Sequence, residues 1–254
     1  MDNKEKGQEL KTILPRGIYL LPNALTTAAL FAAFYSVVAA MKGFFDVAAI
    51  AIFVAMIADT LDGRVARMTN TQTAFGAQYD SLSDMVAFGV APALVIYSWS
   101  LVHLGKIGWL AAFLYTASTA LRLARFNTQA HDDDKRYFQG LPCPAAAGVV
   151  ASLVWLGSEY DIEGFFVAVP VGVLVVLLAA LMVSTIRYHS FKQVDFKGKV
   201  PFIMAVLLVF VIAMIATDPP HMLFAVLFLY AFSGPFLTLW QKKKIRKNKK
   251  ALKK

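Results

Sequence analysis

"IADTLDGRVARMTNTQTAFGAQYDSLSD", residues 57–84, places four aspartates between two apolar runs of the chain. The runs cover residues 48–58 and 85–96, and both have the character of membrane-spanning helices. A carboxylate at the edge of a bilayer is unfavourable unless it has a partner or a function. The four aspartates therefore indicate a candidate functional site.

The composition is that of a polytopic membrane protein. Of the 254 residues, 58% are hydrophobic and 16% are charged, against roughly 25% charged residues in soluble domains. The mean hydropathy is +0.60. A helical span needs about 20 mostly apolar residues. We therefore predict an all-α transmembrane helix bundle with about eight spans, at 20–40, 44–63, 79–101, 107–126, 142–157, 165–184, 200–217 and 221–240.

The distribution of Lys and Arg predicts the orientation of this bundle. With an even number of spans, all but Lys42 and Lys106 of the 25 basic residues fall on one side, which the positive-inside rule assigns to the cytosol. Both termini and residues 57–84 are therefore expected at the cytosolic face of the cytoplasmic (inner) membrane. No folded soluble module is predicted that could present the basic residues to a nucleic acid, so no nucleic-acid partner is expected.

Helix geometry sorts the quoted stretch into two acidic faces. At about 100° per residue, one helix presents two carboxylates and two small residues within an arc of about 100°, with Arg67 beside them. These four residues are Asp59, Asp62, Gly63 and Ala66. The next helix carries a stripe at every fourth residue, formed by Gly76, Asp80 and Asp84.

Carboxylates that converge from two helices repel each other unless cations lie between them. Ligands that are all oxygen select hard ions, Mg²⁺, Mn²⁺ or Ca²⁺. Four carboxylates are enough to bridge two such ions, which is an arrangement suited to phosphoryl transfer. Small residues at 63, 66 and 76 would let a nucleotide or pyrophosphate approach the backbone, and Arg67 could pair with a phosphate. The alternative is ion pairing of the aspartates with Arg64, Arg67 and the other basic residues expected in the cytosol.

The quoted stretch resembles the signature of the CDP-alcohol phosphotransferase family, D-x-x-D-G-x-x-A-R-x₈-G-x-x-x-D-x-x-x-D, at all eight fixed positions and without a gap. The resemblance implies an intramembrane enzyme that uses a divalent metal to join a CDP-activated group to an alcohol, with release of CMP. It also implies a single integral-membrane domain at 1–240, with a catalytic core at about 17–190. The basic tail at 241–254 is expected to be cytosolic and disordered.

Further segments are similar to the bacterial and archaeal phosphatidylserine synthase branch of the family. They are "LPNALTTAALF" (21–31), "DSLSDMVAFGVAPAL" (80–94), "ALRLARFN" (120–127), "FQGLPCPAAAG" (138–148) and "LMVSTIRYHSFK" (181–192). This resemblance implies transfer of the phosphatidyl group of CDP-diacylglycerol to the hydroxyl of L-serine, and relatives are commonly homodimers. Ala87 departs from the pattern, because many relatives carry serine there.

The resemblance also assigns roles to individual residues. It implies that Asp59, Asp62 and Asp80 bind metal, and that Asp84 both contacts metal and serves as the general base. The residues expected to bind CDP are Asn23, Thr26, Asp62, Gly63, Ala66, Arg67, Gly76 and Gln78. An alternative for Asn23 and Thr26 is an ordinary polar helix cap beside Pro22.

The carboxylate of serine requires a cation, and Arg122 and Arg125, with Asn127, are the candidates. Equally, these arginines could be topology anchors or partners of lipid phosphate. Cys143, the single cysteine, excludes an intrachain disulfide, and we expect it to act as a small apolar residue in a helix.

Two other functions agree with parts of the sequence. Another CDP-alcohol phosphotransferase, such as a phosphatidylglycerophosphate or phosphatidylinositol-phosphate synthase, would share the signature. A cation or proton transporter would also carry intramembrane aspartates, but nearer the middle of the bilayer.

Overall fold

The computed structural model describes residues 20–129, 137–189, 209–210 and 213–251, and these are called the described residues below. Most of them are helical. The α-helices are α1 (Leu20–Met41), α2 (Phe45–Met68), α3 (Ala74–Asp84), α4 (Ala91–Trp99), α5 (Lys106–Gln129), α6 (Cys143–Glu159), α7 (Ala168–Val183) and α8 (Pro219–Ala251). A π-helical segment, Met85–Val90, joins α3 to α4, and a short 3₁₀ turn, Leu101–Leu104, precedes α5.

Four helical stretches are long and apolar enough to cross a membrane, in agreement with a membrane protein. They are Leu20–Met41, Ala74–Trp99, Lys106–Thr128 and Pro219–Phe236, and α6 and α7 are shorter apolar helices. Helices cover the predicted spans except the seventh, 200–217, which lies mostly outside the described residues. The total of eight spans stays a prediction.

Two details differ from the predicted all-α bundle with a disordered tail. Tyr137–Gln139 (β1) and Arg187–His189 (β2) form a short antiparallel pair, since these segments run side by side after α5 and α7. The last helix continues through the basic segment to Ala251 instead of ending near residue 240. Lys and Arg are good helix formers, and no Gly or Pro follows Pro235 to stop the helix.

The α1–α2 hairpin brings the start of α1 close to the end of α2. Gly43, at φ +81°, permits the turn between the two helices. Alanines dominate the buried contact along both helices, among them Ala33, Ala40, Ala48 and Ala55, each at most 4% exposed. Small side chains let membrane helices approach closely, and the Ser36 hydroxyl donates a hydrogen bond of 2.7 Å to the Ala48 carbonyl.

The π-helical segment starts directly after Asp84. Its wider turn is visible where the Ala91 N–H donates to the Val86 carbonyl, five residues back. Helix α5 supplies donors to the carbonyls of this segment, with the Tyr115 hydroxyl 3.2 Å from the Phe88 oxygen and Thr116 Oγ1 3.4 Å from the Gly89 oxygen. The π-helical segment that follows Asp84 is therefore held against α5.

Candidate metal and nucleotide site

The aspartates of α2 and α3 converge as the sequence predicts. One carboxylate oxygen from each of Asp59, Asp62 and Asp80 lies within 4.8 Å of the other two. The short link at residues 69–73 leads from α2 into α3, which packs against α1, and Thr73 begins α3 by accepting a hydrogen bond of 2.9 Å from the Gly76 N–H. Such a cap fixes the start of the helix that carries Asp80.

Asp84 lies one turn further along α3. Its carboxyl group contacts that of Asp59, within hydrogen-bonding reach. The predicted four-aspartate set is thus a triad, Asp59, Asp62 and Asp80, with Asp84 next to one member. We call these four residues the aspartate cluster.

Within the part of the chain that the structure describes, two buried carboxylate oxygens of the aspartate cluster have no hydrogen-bond partner. Asp62 is buried and accepts a hydrogen bond of 2.6 Å from the Thr26 hydroxyl. By contrast, Oδ1 of Asp80 and Oδ1 of Asp84 are buried and have no hydrogen-bond partner there. Buried carboxylate oxygens without donors, packed among like charges, are strongly unfavourable unless a cation compensates them. These all-oxygen donors fit a hard divalent cation.

A cavity of about 200 Å³ adjoins the aspartate cluster. Most of the residues predicted to contact a nucleotide line it, namely Asn23, Thr26, Asp62, Gly63, Ala66, Arg67 and Gly76. Gln78 does not line it, although it was predicted to contact the nucleotide. The sequence reading missed Thr71, Gln72 and Thr73, which lie in the link between α2 and α3 and also line the cavity. Their place between Arg67 and Gly76 was the available signal, because that link has to pass the site.

The two glycines shape the cavity in different ways. A Cβ at Gly76 would lie 3.1 Å from Thr73 Oγ1 and 3.4 Å from Asn23 Oδ1, so the missing side chain lets α1 approach α3. Among the described residues, the neighbours of a Cβ at Gly63 within 4 Å would be the terminal nitrogens of Arg67, at 3.9 Å. The Arg67 guanidinium therefore lies over Gly63 and gives the cavity a positive wall.

Thr26 and Asn23 are not helix caps, because α1 is already helical at Leu20. The Thr26 hydroxyl lies 3.1 Å from the Pro22 carbonyl and 2.6 Å from Asp62 Oδ2. Ser83 on α3 donates to the Thr26 carbonyl at 3.2 Å. Thr26 therefore connects α1 to both acidic helices, which was not evident from the spacing of residues.

The three candidates for serine binding have different surroundings. Arg125 donates a hydrogen bond of 3.1 Å to the Val183 carbonyl at the end of α7, and Asn127 donates one of 2.9 Å to Ser81 Oγ. Arg122 is 9% exposed, and its Nε is buried without a hydrogen-bond partner among the described residues. Arg122 is the one of the three with such an unused buried donor. Ala87 is buried in the π-helical segment.

A bundle of apolar helices with convergent carboxylates beside a small-residue cavity is the arrangement of an intramembrane enzyme whose carboxylates could hold a metal ion. The CDP-alcohol phosphatidyltransferase family model matches residues 19–183, and the chain belongs to this family.

Curated relatives extend this similarity over most of the chain. A protein of Helicobacter pylori (strain J99) named CDP-diacylglycerol–serine O-phosphatidyltransferase is 38% identical over 237 residues, which cover 92% of this chain and 98% of the relative. A protein of Methanocaldococcus jannaschii with the same name is 36% identical over 183 residues, covering 72% and 80%. The archaetidylserine synthase of Methanothermobacter thermautotrophicus is 35% identical over 170 residues, covering 66% and 69%.

Proposed function

We propose that this protein transfers the phosphatidyl group of CDP-diacylglycerol to the hydroxyl of L-serine, giving phosphatidylserine and CMP. The observation that carries the class of reaction is the approach of three carboxylates from two helices to within 4.8 Å, beside a cavity lined by small residues and Arg67. The choice of acceptor follows the names of relatives that match most of the chain.

Asp59, Asp62 and Asp80 would hold a divalent cation, and Asp84 together with Asp59 would contribute to a second. Mg²⁺ or Mn²⁺ suits these carboxylates, and Ca²⁺ is the third hard ion of this kind. When bound, such ions neutralise phosphate charge and stabilise both the attacking and the leaving oxygens of a displacement. Thr26 would hold Asp62 in the orientation that a ligand needs.

The transfer itself would use Asp84 as the general base. The serine hydroxyl oxygen forms a bond to the phosphorus attached to diacylglycerol, while its proton passes to the Asp84 carboxylate. The bond from that phosphorus to the oxygen of CMP breaks, and CMP leaves with the electron pair. The cavity between Asn23, Gly63, Ala66 and Gly76 would hold the cytidine diphosphate, and Arg67 would stabilise the charge on the leaving phosphate.

Arg122 would receive the carboxylate of serine, because its buried Nε–H lacks a partner among the described residues. Arg125 and Asn127 would keep the end of α5 in place through their contacts with α7 and α3.

An acceptor panel tests this function. We expect CMP release from CDP-diacylglycerol to require L-serine and a divalent cation, and to be absent with glycerol 3-phosphate or inositol phosphate. The panel is measured by chromatography of CMP and of the lipid product, with each acceptor at equal concentration. Turnover only with a phosphorylated alcohol would overturn serine as the acceptor, and would favour another enzyme of the family. Cation flux in vesicles without any CMP release would favour a transporter.

We also propose eight spans, with both termini and the aspartate cluster at the cytosolic face of the inner membrane, from the distribution of Lys and Arg. Met68, at the exposed end of α2, and Glu163, in the turn before α7, would then face opposite sides. In intact cells, a membrane-impermeant maleimide should label Glu163→Cys and not Met68→Cys until the membrane is permeabilised. The reverse pattern would invert the topology.

The domain limits of 1–240 and 241–254 stay predictions, and the homodimer stays an expectation from the resemblance to the family.

A further inference from the structure

A second polar contact lies outside the aspartate cluster and involves the single cysteine. Cys143 is the first residue of α6, and Arg122 lies on α5. Arg122 NH1 donates a hydrogen bond of 3.3 Å to Cys143 Sγ. The cysteine is 1% exposed. Cys143 is therefore a buried residue of an apolar helix, as the sequence predicts, and its thiol is in addition the hydrogen-bond acceptor of a buried guanidinium.

The contact at NH1 also affects the Nε–H of the Arg122 guanidinium. The group is planar, with its N–H donors in a fixed fork, so holding NH1 also sets the direction of the Nε–H. That Nε–H is buried and has no partner among the described residues. A buried donor of this kind is unfavourable when unpaired, and it is available to an anion that enters the site.

A thiol is well suited to orient the Arg122 guanidinium. A thiol is a weak acceptor, so it orients the guanidinium without neutralising its charge. A carboxylate at position 143 would occupy the fork as a bidentate ion pair and would leave less of it for a ligand. Neither Cys143 nor Arg122 lines the nucleotide cavity.

We propose that Cys143 is a positioning residue for the acceptor: it holds the Arg122 guanidinium so that its Nε edge binds the carboxylate of the amino-acid acceptor. This inference rests on the proposed function, since it requires that the acceptor carries a carboxylate.

The test is a pair of substitutions at position 143, one that removes the hydrogen-bond acceptor and one that restores it. Cys143→Ala removes the acceptor for NH1, and we expect the KM for serine to rise by about tenfold because the guanidinium loses its orientation. The kcat and the KM for CDP-diacylglycerol should stay within about twofold. Cys143→Ser restores an acceptor and should return the KM for serine to within about twofold of the unaltered protein.

Two further variants separate positioning from packing. In an Arg122→Lys background, Cys143→Ala should change the KM for serine little, because a residue that acts through Arg122 is not additive with it. Cys143→Val keeps the buried volume without an acceptor, and it should behave like the alanine variant. The matched control is Ser152→Ala on α6. Its hydroxyl donates to the backbone carbonyls of Gly148 and Val149 in its own helix, and the variant should leave both KM values unchanged.

The outcomes are distinguishable. An unaltered protein that releases no CMP with serine would overturn the proposed function itself. Normal release, with an unchanged KM for serine in both the alanine and valine variants, would overturn only the role of Cys143. Equal losses for both substrates together with a lower melting temperature would show a purely structural cysteine and would also overturn it.

Discussion

Replacing Asp80 with asparagine is expected to weaken Mn²⁺ binding by at least about 100-fold and to abolish serine-dependent CMP release. Removal of residues that only support a metal ligand already lowers affinity by about 10- to 100-fold, and Asp80 is proposed to be a ligand itself. The same change should not destabilise the metal-free protein, because it removes one of three like charges held within 4.8 Å. Titration of Mn²⁺ by electron paramagnetic resonance and thermal unfolding in detergent measure both effects.

The matched control is Asp46→Asn, which removes a carboxylate from the other end of α2. Asp46 is exposed and lies in the first turn of that helix, far along it from Asp59 and Asp62. Its variant should bind Mn²⁺ and gain thermal stability from the ion as the unaltered protein does. If Asp80→Asn kept the full stabilisation by Mn²⁺, the ion would not bind where we propose.

Replacing Asp84 with asparagine is expected to lower the rate of transfer by about 10²- to 10⁴-fold, the usual contribution of a general base. The triad of Asp59, Asp62 and Asp80 remains in this variant, so one Mn²⁺ should still bind. The second ion, to which Asp84 is proposed to contribute, should be lost. Single-turnover release of CMP and the number of bound Mn²⁺ ions together separate the role of base from that of ligand.

Asp161→Asn is the control for Asp84, since Asp161 is an exposed carboxylate in the turn after α6 and should affect neither quantity. Asp84→Glu keeps the carboxylate on a longer side chain and should recover part of the rate. A normal transfer rate in Asp84→Asn would show that the proton goes elsewhere, even if the number of bound ions fell.

The aspartate cluster was predictable because its information is local. Helix periodicity places Asp59 and Asp62 on one face and Asp80 and Asp84 on another, and a short link keeps the two helices near enough for their carboxylates to meet. The same periodicity cannot reveal a contact between distant segments. The hydrogen bond from Thr26 to Asp62 depends on the depth at which α1 and α2 pack, which alanines along both helices determine.

The hydrogen bond between Arg122 and Cys143 was not predicted, for a related reason. A lone cysteine in an apolar sequence is usually a small packing residue. Its contact with Arg122 depends on how α5 and α6 are placed after the segment that separates them. The π-helical segment was also not predicted, because a single widened turn leaves the spacing of apolar residues in Met85–Trp99 almost unchanged. Overall helix positions, by contrast, follow directly from the length of the apolar runs.

The α1–α2 hairpin, α3 and the link between α2 and α3 together contain every residue of the aspartate cluster and of the cavity beside it, all between Pro22 and Asp84. The proposed acceptor residues, Arg122 and Cys143, come later in the chain. Because a chain is synthesised and inserted from its N-terminus, the half of the site that is proposed to take the nucleotide leaves the ribosome first. The residues proposed to bind the nucleotide can therefore assemble in the membrane before those proposed to bind the acceptor have been translated.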